Sequence, residues 1–175
     1  MATRNIVTLP EPVLRRKARP VTEFGGELQS LINDMVETMR EAPGVGLAAP
    51  QVNIPERLIV VEYGDEEEDE DGNVIEKPKK LYVMANPEIV KTSEETELGI
   101  EGCLSIPGIV GEVERFSSIQ IKGLNRRGRP VKLKAEGWLA RIFQHEIDHL
   151  NGVLFPDRAK RVWKPETELP EEQEV

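Results

Sequence analysis

Apolar residues recur at helical spacing in two stretches of this chain and crowd into short extended runs in four others, with Gly, Pro and charge between them. Leu28, Leu31, Ile32, Met35, Val36 and Met39 predict an amphipathic helix from Glu27 to Glu41, ended by Pro43 and Gly44. Trp138, Leu139, Ile142, Phe143, Ile147 and Leu150 give a second helix its apolar face, and Asn151 and Gly152 stop it. Strands are expected at Arg57 to Tyr63, Leu81 to Ala85, Ile119 to Leu124 and Pro130 to Lys134, the last two joined by a turn through Asn125-Arg126-Arg127-Gly128. Helices and strands are segregated and do not alternate as in nucleotide-binding folds. The expected class is therefore α+β, with antiparallel or mixed sheets packed around the C-terminal helix.

Length and charge narrow the picture. The 175 residues form one expected domain, 1–175, large enough to bury a core. No apolar run approaches the roughly 20 residues that cross a bilayer. The start, Met1-Ala2-Thr3-Arg4-Asn5, lacks a secretion signal's hydrophobic stretch, so a cytoplasmic protein without membrane contact is expected. A formal charge of −9 disfavours a nucleic-acid-binding surface. Arg15, Arg16, Lys17 and Arg19 make a local basic patch, read as a solvated loop. Between Gly64 and Gly72 lies an unbroken acidic run, Asp65 to Asp71, expected as a mobile hairpin tip that aids solubility. Residues 158–175 pass from basic to acidic and are expected to form a polar, mobile tail.

The chemistry gathers in three segments. The second helix carries Gln144-His145-Glu146-Ile147-Asp148-His149, an H-E-x-x-H pattern. Residues four apart on a helix hold their Cβ atoms about 5–6 Å apart on one face, so His145 and His149 can grip one cation. Glu146, about 100° round the same turn, can reach a water on that cation without becoming a ligand. The chain's two histidines are these two, which leaves a metal in need of another donor. The single cysteine, Cys103, lies in Glu101-Gly102-Cys103-Leu104-Ser105 and has no partner for an internal disulfide, which argues for a reducing compartment. Gly102 lets the backbone come close to a partner, and a thiolate with two imidazoles leaves one position of a tetrahedron open, as catalysis requires. The third segment, Gly44-Val45-Gly46-Leu47-Ala48-Ala49-Pro50-Gln51, joins small residues to an amide whose N–H can reach a polarised carbonyl oxygen.

Together the three segments closely resemble the motifs of the peptide deformylase family, G-φ-G-φ-A-A-x-Q, E-G-C-φ-S and Q-H-E-x-D-H with φ apolar, in the family's order, over about Ile6 to Asp157. The resemblance implies removal of the formyl group from N-formylmethionyl nascent peptides, a bacterial or organellar task. It implies Cys103, His145 and His149 as metal ligands and Glu146 as general base and then acid. Gln51 and the backbone N–H of Leu104 would hold the oxyanion. It further implies a methionine pocket walled by Val45, Trp138, Arg141 and Ile142, with substrate backbone adding as a strand beside Val45 and Gly46. Arg141 is unusual in an apolar wall, and its stem is expected to pack while its head reaches solvent. Fe2+ is the implied native ion, with Ni2+ and Co2+ as active substitutes and Zn2+ a poorer one. Many bacterial members continue into a basic helix that docks on the ribosome. This tail is short, contains Pro165 and Pro170 and ends acidic, so only weak, salt-sensitive ribosome association is expected.

Two other classes share part of the pattern. A zinc endopeptidase of the H-E-x-x-H group usually draws its third ligand from His or Glu, and no further His exists here. A non-catalytic metal-binding module would leave Glu146 without a task.

Overall fold

The computed structural model describes residues 2–64 and 66–165. After a short 3-10 turn at Pro12–Arg15, helix α1 spans Gly26–Glu41. The strands are β1 (Gly46–Ala48), β2 (Leu58–Tyr63), β3 (Glu66–Glu68), β4 (Val74–Glu76), β5 (Lys80–Thr92), β6 (Thr96–Cys103), β7 (Ile106–Phe116), β8 (Ser118–Leu124) and β9 (Pro130–Glu136). Helices α2 (Gly137–Leu150) and α3 (Phe155–Arg158) follow, then strand β10 (Ala159–Trp163). A five-stranded sheet has the order β1-β2-β5-β8-β9, a three-stranded sheet β10-β7-β6, and β3 pairs with β4. Every paired strand is antiparallel.

Strand periodicity explains why the larger sheet has a helix on each face. Along β2, Leu58 and Val60 join the α1 residues Leu31, Ile32, Met35 and Met39 in one core. Ile59 and Val61 point the other way and join Ile142, Phe143, Ile147 and Leu150 of α2 in a second. Alternate side chains of a strand face opposite sides, so one strand serves both cores. Helix α2 is thus pinned along its length to the sheet, with the Phe143 ring edge-on to Tyr82 at 5.5 Å.

The structure extends and corrects the expected elements. Strand β5 runs on to Thr92, and the β6–β7 hairpin, where no strand was expected, forms a sheet of its own. Residues 159–163, expected in a mobile tail, are β10 paired to β7, with Lys160 Nζ 3.2 Å from Glu114 Oε2. The acidic run contributes to the β3/β4 hairpin, and Arg15, Arg16, Lys17 and Arg19 are exposed, Arg15 pairing with Asp157. Asp65 and residues 166–175, including the acidic end of the expected tail, lie outside the described residues.

Candidate metal centre

Three elements converge on one buried point. Helix α2 supplies His145, Glu146 and His149, strand β6 ends in Cys103, and a 3-10 turn at Ala49–Val52 after β1 supplies Gln51. The β6–β7 register slips between Glu101 and Cys103, a bulge of the kind that re-aims side chains beside functional sites. One donor atom from each of Cys103, His145 and His149 lies within 4.8 Å of the others, and Cys103 Sγ is 3.4 Å from His149 Nε2. Sulfur and nitrogen bonded at tetrahedral angles to one ion, at about 2.3 and 2.0–2.1 Å, would be about 3.5 Å apart. His145 Nε2 is buried without a hydrogen-bond partner, while its Nδ1 is held 2.9 Å from Glu101 Oε1. That contact directs Nε2 toward the centre, the usual way an imidazole is oriented for a metal. Two imidazoles and a thiolate, one donor already aimed, fit a divalent transition-metal ion.

Glu146 is placed differently from Glu101. Both its oxygens are buried and accept no hydrogen bond, and burial pushes the carboxyl up to about 7 against the downward pull of His145. Gly46 makes this possible, because a Cβ there would stand 2.5 Å from Glu146 Oε2 and 2.9 Å from its Cδ. Gln51 is locked by its own turn: Oε1 accepts from the Ala48 N–H at 3.0 Å, which leaves Nε2 as donor toward Ser105 Oγ at 3.1 Å and Cys103 Sγ at 3.7 Å. Leu104 follows Cys103, and its side chain packs over Gly44. Burial lowers the proton affinity of His149, as a ligating imidazole needs. Burial also pulls His145 down, but Cys103, Glu101 and Glu146 outweigh it and raise it to about 10. The negative field that favours a proton there favours a cation equally.

The structure also shows what the sequence reading lacked. Glu101 is fully buried and its carboxylate is saturated: Arg115 donates to both oxygens at 2.9 Å, and Arg141 donates to Oε2 at 2.7 Å. Arg115 continues to Asp148 at 2.7 Å, which also accepts from Arg158 at 2.6 and 3.0 Å. Arg141 therefore does not send its head to solvent. It is 4% exposed and its guanidinium also donates to the backbone oxygens of Val113 and Glu97. A buried carboxylate within reach holds a guanidinium more strongly than water does in a site this closed. Trp138, in the first turn of α2, and Val45 are half-buried, and Ile142 is wholly in the core. Gly102 is buried in the bulge. Asp148 stood inside the H-E-x-x-H motif and Glu101 inside the cysteine motif, so a carboxylate amid buried positions was the available signal; Arg115 left none.

Comparisons with known proteins give concordant matches over most of the chain. The polypeptide deformylase family model matches residues 3–164. A peptide deformylase of Halothermothrix orenii is 50% identical, covering 93% of this chain and 97% of that protein. The crystal structure of a Thermotoga maritima peptide deformylase superposes with a TM-score of 0.78 at 43% identity, over 92% of this chain and all of the other. A Met-Ala-Ser-bound Acinetobacter baumannii peptide deformylase gives 0.79 at 39% identity, over 90% and 98%.

Because the bonds to Arg115 and His145 outweigh its burial, Glu101 titrates below the ordinary carboxylate range. A depressed folded-state value contributes stability above the unfolded value near 4.5, and this is lost as pH falls through the folded one. Glu101→Gln should cost about 3–5 kcal/mol at neutral pH by leaving buried guanidinium groups uncompensated. Urea unfolding of the metal-free protein should show that gap narrowing progressively as pH falls below about 4.5; a gap below about 1 kcal/mol at pH 7 would contradict the assignment.

Proposed function

The chain belongs to the polypeptide deformylase family, a family of metal-dependent hydrolases, and we propose that it removes the formyl group from N-formylmethionyl nascent chains with Glu146 as its proton carrier. The observation that carries this reading is a buried, partnerless carboxylate beside a Cys103, His145 and His149 donor set. Cys103, His145 and His149 would hold a divalent cation, which when bound would polarise the formyl carbonyl and acidify a water. Glu146 takes a proton from the attacking water at one of its free oxygens as the water oxygen bonds to the formyl carbon, and gives it to the amine nitrogen as the carbon–nitrogen bond breaks, leaving formate and a free N-terminus. Gln51 Nε2 and the Leu104 backbone N–H donate to the formyl oxygen as charge builds there, and loss of one such donor costs about 10²–10³ in rate.

Substrate backbone is received on β1, the edge strand of the larger sheet, where the Val45 and Gly46 segment presents an unpaired side. Main-chain pairing accepts many sequences, as a processor of nascent chains must. In this reading Val45, Gly102 and Trp138 border the methionine pocket and Ile142 backs it, with Val45 and Trp138 packed against the core that contains Ile142. The Met-Ala-Ser complex of the Acinetobacter baumannii relative supports a peptide beginning with methionine as the ligand.

Replacing Glu146 with Ala should preserve the bound metal and lower turnover by about 10²–10⁴-fold. The assay is formate release from a formyl-Met peptide beside its acetylated and free-amine counterparts, with metal content measured in parallel. Internal peptide cleavage would favour an endopeptidase, and an inert metal-loaded protein a binding module.

We assign Fe2+ as the native ion on family membership, since the mixed thiolate and imidazole set accepts Fe2+ and Zn2+ about equally. Aerobic preparations should lose activity as the ferrous ion and Cys103 oxidise. Equal turnover of zinc- and iron-loaded protein without oxygen sensitivity would remove the assignment.

No helix among the described residues is long and apolar enough to cross a membrane, and a cytoplasmic site of action suits both the substrate and the free thiol. Contact with the ribosome is weak and electrostatic in this reading, because residues 159–163 are committed to β10 and the sequence beyond is acidic. Co-sedimentation with ribosomes should vanish at physiological salt; persistence there would overturn the point.

A further inference from the structure

We propose that Arg141 is a positioning residue for the metal centre: one helical turn before His145, it clamps Glu101 in the orientation that aims His145, and Gly99 is small in order to admit its guanidinium. This deepens the functional reading above and rests on it. The geometry is a closed loop. Arg141 and His145 are four apart on α2 and therefore share a face. Both reach Glu101, Arg141 Nη1 at Oε2 (2.7 Å) and His145 Nδ1 at Oε1 (2.9 Å). The helix thus carries both a ligand and the cation that fixes the ligand's carboxylate partner. Arg115 holds both Glu101 oxygens through Nε and Nη2 and gives Nη1 to Asp148, and Arg141 adds a second donor on Oε2 from the helix that carries His145. Arg141 is further anchored to backbone, donating to Val113 O at 2.9 Å on β7 and Glu97 O at 2.8 Å on β6.

Gly99 on β6 supplies the space. A Cβ there would lie 2.6 Å from Arg141 Cζ and 2.8 Å from Nε, an overlap that only displacement of the guanidinium relieves. The guanidinium also lies over the Trp138 ring, whose centroid is 5.5 Å from Cζ. His149 makes the contrast: its Nδ1 is buried without a partner, so the clamp acts on one of the two imidazoles alone. Partners that orient a ligating imidazole typically carry about 10–100-fold in metal affinity or activity, and a residue one step further out should stand at the lower end, about 10-fold.

The test uses the full chain loaded with Co2+. In Arg141→Met, cobalt transfer to a chelator should quicken about 10-fold, with an altered d–d spectrum. With formyl-Met peptide, kcat should fall while KM holds, the mark of a lost orientation and not of a lost pocket wall. Gly99→Ala should reproduce both effects, and in the Arg141→Met background should add nothing, since the group it displaces is gone. If Arg141→Met does not fold, Gly99→Ala alone decides through the same readouts. An unchanged cobalt spectrum and transfer rate in the folded variants, or a rise in KM alone, would overturn the proposal. Metal release is read without substrate. A protein that binds cobalt as described but frees no formate would sink the functional reading and leave this one standing.

Discussion

The centre depends on one carboxylate. Glu101 lies at the junction of β6 and α2, fully buried, accepting from two arginines and one histidine. An ionised group so placed is tolerable only when its lone pairs are filled by strong donors, and removal of either partner strands a charge in a closed site. This constraint joins elements otherwise held by apolar packing and by the Gln144 side chain, which bonds both backbone groups of Phe116 on β7. Arg115 ties the junction to β7, Asp148 and Arg158 extend it to the end of α3, and Arg141 and His145 return it to the helix. The smaller sheet and the helix therefore hold a fixed relative position, and a thiol from one meets two imidazoles from the other.

The larger sheet fixes the remaining direction. Its strand β2 is buried on both faces over Leu58–Val61, so α2 packs against a layer already supported from behind by α1. Interiors at this density transmit small displacements instead of absorbing them. Side chains on such a helix keep their spacing, as a metal site needs when its bond lengths tolerate only about 0.2 Å.

Much of this was legible from residue pattern, and the failures have physical causes. The apolar stripe of α1, the runs behind β2 and β8 and the i, i+4 histidines are local periodicities, visible because each follows from backbone geometry. Cys103 could be joined to the histidines because the chain offers no other thiol. The hairpin of β6 and β7 was hidden because Gly99, Gly102, Pro107, Gly108 and Gly111 interrupt it. Its exposed apolar residues Leu98, Ile100 and Phe116 blur the inward and outward alternation. Arg141 was misjudged because the meaning of a charge depends on its partner, and Glu101 lies 40 residues away in sequence. Burial of charge is a tertiary property, and no window along the chain contains it.

The pair Glu101 and Glu146 shows how far environment outweighs residue type. Both are buried carboxylates near His145, yet one is saturated with donors and held strongly acidic while the other has none and is pushed up to about 7. A carboxylate that is to exchange a proton cannot be committed to fixed donors, and its burial without partners is a standing cost of about 1–3 kcal/mol or more. Gly46 secures that condition on one side by presenting no side chain to its oxygens. On the other side, the saturation of Glu101 leaves His145 oriented without recruiting Glu146 to the task. In the proposed reaction the orienting duty and the proton-carrying duty fall to two groups of the same chemistry, told apart by the donors that do or do not reach each.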